Sequence, residues 1–441
     1  MKIKQISSIS RGRNRKSQVR STEKRIASPD NKKHLICLIC IIVGAGLAPA
    51  LLPAQDGMPV FRFTLDNILA ITALDESNPF NPDNFLEIDE ISNTVRLTAE
   101  TEGDLDKLAH YGLTGRLTLD SAGDTDSELR EAWVSLGRDF GSMIKIGKQK
   151  AAWGKGYVWS PADYINRPKN ALDTDDPVQG RTMVLGDIPF ANGSFSAVFI
   201  PDPDDDTHSG TELKDSFSAL RLSRLIHDTD LAVVAGLGPD NEKKYGFSLS
   251  QPAGSVILTF EVSWSTYPDK KYYTYTSDPL NNTYFFTEDD DYKVSGVLGF
   301  NYRTAGGDGF LTGEIYYNES GWDGKEMESY LRLSELASGN TAVYGWLYEE
   351  LIGQYVPARM GQRYAYLSYT HTVHDFYTMG CSAIHSFDSS FTYITPSFVY
   401  TGINDADIRA EILIPAGNTD DGEGSLFMTH PVVSLWLTVY F

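Results

Sequence analysis

Strict alternation of apolar and polar side chains, in segments of about ten residues, restricts what this chain can fold into more than any other feature. Between residues 256 and 265, every even-numbered residue is apolar and every odd-numbered residue from 259 onward is polar. Similar patterns occur at 95–100, 113–119 and 408–414. Because successive side chains of a β-strand point to opposite faces, each segment predicts a strand with one apolar and one polar face.

A soluble β-sandwich and a transmembrane β-barrel would both produce this alternation. The predicted strands number about 18, with 16 as the alternative because 59–70 and 85–90 are poorly defined. So many strands exceed one sandwich, whereas a closed barrel leaves no edge unpaired. Aromatic residues also lie toward predicted strand ends, as in a membrane-interface belt: Tyr302, Tyr316, Tyr317, Tyr364, Tyr366, Tyr369 and Tyr400. The predicted fold is therefore all-β, a closed antiparallel transmembrane β-barrel.

The first 55 residues are interpreted as a leader that is removed on export. Residues 1–33 carry eleven bases and two acids, and an apolar stretch follows at 35–52 before small residues. This order predicts a secretory signal peptide with an extended basic n-region. A retained helical anchor is the alternative, but two prolines interrupt the end of the apolar run. The predicted organisation is a signal peptide over 1–55 and an outer-membrane barrel over 56–441.

The charge of the remaining chain excludes nucleic acid as a partner. The whole chain has a formal net charge of −21, and because the basic tract contributes +9, the residues after 33 carry −30. Such a surface repels phosphate backbones. Without the leader, Cys381 is the only cysteine, which excludes an intramolecular disulfide and a cysteine-based zinc site.

The connections between predicted strands are alternately long and short, as in barrels with short periplasmic turns and long outer loops. Long loops are predicted at about 71–91, 149–180, 201–214, 268–290, 320–361 and 415–429. Short turns are predicted at 251–254, 305–308, 373–375 and 403–405, and two outer loops, near 239 and 387, are also short. In the longest loop, apolar spacings of three and four from Lys325 to Tyr355 predict one or two short helices.

The chain ends on an alternating segment, His430 to Phe441, in which Leu435 and Leu437 share one face and Trp436 lies on the other. This segment resembles the C-terminal strand of bacterial outer-membrane β-barrels, which ends in an aromatic residue, usually Phe. The resemblance implies that Phe441 belongs to the insertion signal read by the barrel-insertion machinery. A periplasmic protein whose last strand happens to end in Phe is the alternative.

A second resemblance lies between Glu128 and Arg181. This stretch contains Arg-Glu-Ala at 130–132 within one predicted strand and Gly-Lys-Gln at 147–149 at the end of the next. Trp-Gly at 153–154 follows in a loop, with proline and asparagine after it. The series is similar to one in porin-like families of the alginate-export kind and related uncharacterised porins. The resemblance covers about fifty residues and implies an outer-membrane porin without specifying a substrate.

The loop at about 149–180 is expected to fold toward the lumen and to form its constriction. Trp153, Tyr157, Trp159 and Tyr164 make it too apolar to extend freely into water, and two glycines permit a tight path. A cap packed on neighbouring loops at the outer face is the alternative.

The residues predicted to line the pore and its constriction combine basic, acidic, amide and aromatic side chains. They are Arg96, Arg116, Glu131, Lys145, Gln149, Trp153, Lys155, Tyr157, Arg221, Glu261, Glu314 and Arg409. Opposite charges paired across strands would stiffen the wall and set a transverse field in the channel. Polar side chains that simply line a wet lumen are the alternative explanation.

Acidic residues are dense in the predicted outer loops, at 173–176, 202–206, 288–291 and 420–423. They could bind Ca²⁺ between the loops and anionic glycolipid, although none forms an EF-hand loop and a solvated surface is the simpler explanation. The sequence contains no H-E-x-x-H, G-x-S-x-G or Walker motif. No catalytic residue, metal ligand or cofactor is therefore predicted.

The expected function is that of an outer-membrane porin that allows small hydrophilic solutes to diffuse. Outer-membrane lipid and glycolipid would surround the barrel, and association into a homo-oligomer is left open. One alternative is a barrel for surface adhesion or assembly without channel activity. Another is an outer-membrane hydrolase with its site at the barrel rim, because such triads leave no motif in the sequence.

Overall fold

The computed structural model describes residues 60–73, 81, 84, 88–137, 141–172, 178–201, 216–266, 272–273, 284–285, 292–339, 341–353, 355–356, 358–417 and 430–441. The predicted signal peptide and the four acidic loop clusters lie outside the described residues.

Strands account for most of the described chain. Their bounds are β1 Val60–Thr72, β2 Ile91–Asp106, β3 Ala109–Leu119, β4 Thr125–Gly137, β5 Met143–Gln149, β6 Arg181–Phe190, β7 Gly193–Ile200, β8 Phe217–Ile226, β9 Thr229–Leu237, β10 Lys243–Ala253, β11 Val256–Ser265, β12 Tyr272–Tyr273, β13 Tyr284–Phe285, β14 Lys293–Arg303, β15 Gly309–Asn318, β16 Arg363–Val373, β17 Tyr377–Ser386, β18 Phe391–Ile403, β19 Ala406–Gly417 and β20 Val432–Tyr440. Strands β12 and β13 form a separate hairpin, and the other 18 described strands form one antiparallel sheet.

The sheet closes on itself. Each large strand pairs with the next in sequence, and β1 pairs with both β2 and β20. Closure leaves no unpaired edge, so the backbone polar groups of the strands are satisfied within the sheet. The predicted closed antiparallel barrel is confirmed with 18 strands in the described chain, and the 16-strand alternative is wrong.

Side-chain exposure follows the alternation in the sequence. On β11, Phe260 and Trp264 are 38% and 37% exposed, whereas Glu261 and Ser263 are 0% and 6% exposed. Large apolar side chains such as Leu220 and Ile315 also lie on the outer surface. Apolar residues outside and polar residues inside are the distribution expected of a barrel surrounded by hydrocarbon.

The connections between strands are long and short in the predicted order. Six strand pairs have long connections at one end of the barrel: β1–β2, β5–β6, β7–β8, β11–β14, β15–β16 and β19–β20. At the other end, two-residue turns such as 254–255 are common, and Gly254 adopts a φ of +65° there. The connections at 238–242 and 387–390 are short, as predicted, and 120–124 is a further short one.

Two helices lie in the connection between β15 and β16, as predicted. Helix α1 spans Gly324–Ser338 and helix α2 spans Thr341–Gly353. A capping box starts α1, since the Asp323 carboxylate accepts hydrogen bonds from the N–H groups of Lys325 and Glu326 while the Glu326 side chain accepts one from the Asp323 N–H. No helix in the described ranges is long and apolar enough to cross a membrane.

This helical hairpin has its own apolar core. Its buried members are Trp322, Met327, Tyr330, Leu331, Leu333, Ala337, Leu347, Tyr348, Leu351 and Met360. The Tyr330 hydroxyl donates to the Leu351 carbonyl at 2.8 Å and so joins the two helices. Burial raises the pKa of Tyr348 to about 12, because ionisation would place a charge in this core.

Candidate functional site

The connection between β5 and β6 lies against the inner face of the barrel. We call its described part, residues 150–172, the interior segment. It has no regular secondary structure, so its many backbone N–H groups need partners outside the segment or from its own turns. Two carboxylates on the inner face of the sheet accept hydrogen bonds from several of these N–H groups.

Glu261 on β11 is the first of these carboxylates. It is 0% exposed and accepts three hydrogen bonds from backbone N–H groups of the interior segment. Lys155 and Gly156 donate to Oε1, the latter at 2.8 Å, and Ala162 donates to Oε2 at 3.1 Å. Hydrogen bonds to a charged acceptor are stronger than neutral ones, so they offset the cost of burying this carboxylate.

Glu314 on β15 has the same role for the three residues that follow Gly156. It is 3% exposed. Tyr157 donates its backbone N–H to Oε1, and Val158 and Trp159 donate theirs to Oε2 at 2.9 and 3.3 Å. Together the two glutamates accept six backbone N–H groups between residues 155 and 162.

Ion pairs join the same segment to other strands. The Lys155 ammonium contacts the Asp230 carboxylate on β9. The Lys150 ammonium lies 2.8 Å from Oε1 of Glu131 on β4. In addition, the Tyr164 hydroxyl donates to the Tyr245 carbonyl on β10 at 2.8 Å.

Apolar packing attaches one side of the segment to strands β6 to β9. Ala151, Trp153 and Ile165 are buried in a cluster with inward-facing residues of these strands. The strand members are Met183, Leu185, Val198, Ile200, Phe217, Ala219 and Val234. These strands therefore carry apolar residues on both faces, on the outer face toward the surroundings and on the inner face where it contacts the segment.

A second apolar cluster attaches the segment to strands β16 to β18. Val158, Trp159 and Ala171 are buried there with inward-facing Tyr364, Tyr366, Ile384, Phe391 and Tyr393. The Trp159 ring stacks on Tyr316 of β15 at 5.2 Å between centroids and 5° between planes. Its indole N–H donates to the Ala358 carbonyl at 3.3 Å, which joins the segment to the connection that carries the helical hairpin.

The path of the segment requires glycine at its tip. A Cβ atom at Gly156 would lie 1.7 Å from the Trp159 carbonyl oxygen. A turn follows, in which Asp163 Oδ1 accepts the N–H groups of Ile165 and Asn166 at 3.2 Å. Burial raises the pKa of Asp163, and its hydrogen bonds with Asn166 partly oppose the shift.

The structure separates the predicted site residues into two groups. Gln149, Trp153, Lys155, Tyr157, Arg221, Glu261 and Glu314 lie in or beside the interior segment. Gln149 is 0% exposed and donates to the Lys145 and Met183 carbonyls, so it holds the root of the segment. Arg221 lies 6.0 Å from the Trp153 ring centroid.

The other predicted residues lie on strands β2 to β5 and β19. Lys145 lies over the Trp133 ring, 3.6 Å from its centroid, and Glu131 binds Lys150. Arg96 lies on β2, opposite Asp66 of β1. The side chain of Arg116 on β3 donates to the Thr98 hydroxyl at 3.4 Å. Arg409 on β19 lies 2.6 Å from Glu411 of the same strand.

The partners of the two buried glutamates are backbone N–H groups, whereas the charge pattern of the sequence suggested bases on neighbouring strands. Asp230, which binds Lys155, was not among the predicted residues, and neither was Asp163. Neither has a motif around it in the sequence. Within the described ranges, no group of three or more His, Cys, Asp or Glu side chains is placed to hold a metal ion.

Comparisons with known proteins identify the fold. No family model matches the chain, and no curated protein matches it. The crystal structure of Pseudomonas aeruginosa OccK5 (OpdH) matches with a TM-score of 0.50 and 11% identity, over 87% of this chain and 97% of that one. Pseudomonas aeruginosa OccK11 (OpdR) matches with a TM-score of 0.47 and 10% identity, over 87% and 96% of the chains. A mutant of Rh. blastica porin matches with a TM-score of 0.42 and 9% identity, over 87% and 100%.

At this low identity, the likeness to OccK5 is a likeness of fold. The described chain has a porin-type barrel. The resemblance to porins of the alginate-export kind has no counterpart among these matches and stays a prediction.

Proposed function

We propose that the protein is an outer-membrane porin-like channel through which small hydrophilic solutes diffuse, with the loop at about 149–180 as its constriction. The observation that carries this proposal is the attachment of the interior segment to inward-facing Glu261 and Glu314 by six backbone hydrogen bonds. A segment held across part of the lumen of a closed barrel narrows the water-filled space without blocking it.

The surface of the barrel supports the proposed location. Large apolar side chains cover the outer face of the strands, among them Leu222, Leu298 and Leu367 at 47%, 58% and 52% exposure. In the outer membrane this face would contact lipid and glycolipid. Insertion through the C-terminal strand ending at Phe441 belongs to the same proposal, as does the absence of enzymatic activity.

Reconstitution of the folded protein into planar lipid bilayers tests the channel. We expect discrete conductance steps that depend on added protein. A correctly folded barrel that inserts but gives no steps would contradict the proposal and favour the adhesion or assembly function. Hydrolysis of lipid or peptide that disappears on substitution of one histidine would instead favour the rim-type hydrolase.

A further inference from the structure

We propose that solutes pass on one side of the interior segment only, along the inner face of strands β20, β1, β2 and β3, and that the paired charges on this face make the route suited to neutral and zwitterionic solutes. This inference rests on the proposed channel function. It assigns the route and its lining residues, which the fold alone does not specify.

The first observation is that the segment covers one part of the inner wall. Its contacts reach β4, β6 to β11 and β15 to β18. Small polar residues that face inward on these strands are buried, although a wide barrel would leave them wet. They are Ser196, Ser248, Thr259, Ser263 and Thr312, at 3%, 2%, 5%, 6% and 2% exposure.

On the opposite part of the inner wall of the barrel, the inward-facing polar residues are not buried in this way. No inward-facing polar residue of β20, β1, β2 or β3 whose side chain the structure describes is buried. Asp66, Arg96, Thr98, Arg116 and Thr438 are all partly exposed there. Because the sheet is closed, a segment packed against one wall leaves the remaining water-filled space against the other.

Each base that faces inward on β1, β2 and β3 has an acidic neighbour, and Arg62 on β1 lies 3.7 Å from two acids, Glu100 and Glu102 of β2. Arg96 lies opposite Asp66 in the register of β1 and β2. Arg116 lies opposite Glu128 in the register of β3 and β4. The same holds at the edge of this wall on β19, where the Arg409 guanidinium lies 2.6 Å from the Glu411 carboxylate and 4.9 Å from the Trp436 ring centroid on β20.

The pairing of opposite charges determines which solutes this wall favours. A base and an acid side by side largely cancel each other's field at the distance of a passing ion, so neither cations nor anions are strongly favoured. A zwitterion or a polar neutral solute, by contrast, finds a donor and an acceptor at each pair. The negative net charge of the whole chain therefore does not determine the selectivity of the route.

Cysteine substitution with thiol labelling tests the route. The background is Cys381→Ser, because the native thiol is exposed. Thr98→Cys and Thr438→Cys place thiols on the proposed route, and Ser263→Cys and Thr312→Cys place matched thiols on the covered wall. Each variant is recorded in planar bilayers before and after a trimethylammonium methanethiosulfonate reagent.

We expect labelling to reduce the conductance step of the first two variants, on the order of 1.5-fold, and to leave the two control variants unchanged. Block from the covered wall, block from all four positions, or block from none would each overturn the route. Absence of any steps from the unlabelled Cys381→Ser background would instead contradict the channel function itself.

Ion selectivity tests the pairing in the same preparation. We expect the ratio of cation to anion permeability in a salt gradient to lie between about 0.5 and 2. Asp66→Asn should move the ratio toward anions, because it leaves Arg96 without its opposite charge, whereas Glu328→Gln on the exposed surface of α1 should not. A ratio beyond about tenfold in either direction, or equal effects of the two variants, would overturn the charge-balanced lining.

Discussion

Replacing Glu261 and Glu314 by glutamine is expected to loosen the interior segment while the barrel stays folded. Glutamine keeps the shape of the side chain but only one acceptor oxygen. In Glu261→Gln, Oε1 still accepts hydrogen bonds from the N–H groups of Lys155 and Gly156. The new amide NH2 group replaces Oε2 and faces the Ala162 N–H, which lies 3.1 Å from Oε2 in the unsubstituted protein.

The same exchange on β15 has the same cost. In Glu314→Gln, the orientation that retains Val158 and Trp159 leaves the Tyr157 N–H without its acceptor. Each substitution thus leaves one N–H group unsatisfied, which costs roughly 1–3 kcal/mol, and the two together cost about 2–6 kcal/mol. Since about 1.4 kcal/mol is a factor of ten, the detached segment becomes at least one order of magnitude more populated.

Single-channel recording measures this change. The double variant should give a larger or noisier conductance step than the unsubstituted protein. Glu328→Gln is the control, because Glu328 is 55% exposed and pairs with Arg332 on the surface of α1. The reasoning is refuted if the double variant folds normally and shows the step size and noise of the unsubstituted protein.

Three further predictions concern the segment tip and the helical hairpin. Gly156→Ala should enlarge the conductance step, because its Cβ would lie 1.7 Å from the Trp159 carbonyl, whereas Gly345→Ala, with no atom within 4 Å of the new Cβ, should not; equal steps would contradict this. Tyr348 has a pKa of about 12 in the fold against about 10 unfolded, so its stabilisation of the hairpin is lost as the pH rises from 10 to 12. Circular dichroism at 222 nm should show a smaller alkaline loss in Tyr348→Phe, and an identical loss would count against the burial argument. Asp323→Ala removes the capping box and should destabilise α1 by about 1 kcal/mol, seen as faster proteolysis of the hairpin with the barrel intact; unchanged cleavage would exclude that role.

Much of the barrel could be predicted from the sequence because water and hydrocarbon demand opposite side chains. On β11 this requirement produces the alternation seen in the sequence, with Phe260 on the outer face and Glu261 on the inner face. The lengths of the connections could also be predicted, because turn residues interrupt the alternation and so mark where each strand ends. Whether 18 or 16 strands close the sheet depended on β1, whose inward positions include Ile68 and Ala70 and so blur the pattern.

The attachment of the interior segment could be predicted only in part. Aromatic content suggested that the loop packs on something, and Glu261 and Glu314 were placed in the interior. Their partners are backbone N–H groups about 100 and 155 residues away in sequence, and a backbone donor has no residue type that identifies it. A second signal was present in β6 and β7, where Leu185 and Val198 make the inward face apolar as well.

Exclusion of solutes by size tests most directly whether the interior segment narrows a water-filled lumen. Liposomes containing the intact protein would be compared with liposomes containing a variant in which residues 152–168 are replaced by a short Gly-Ser linker, using swelling rates in sugars of increasing size. The account predicts that the intact protein admits small sugars and excludes larger ones that the variant admits. Equal swelling rates for the two proteins at every sugar size would contradict it.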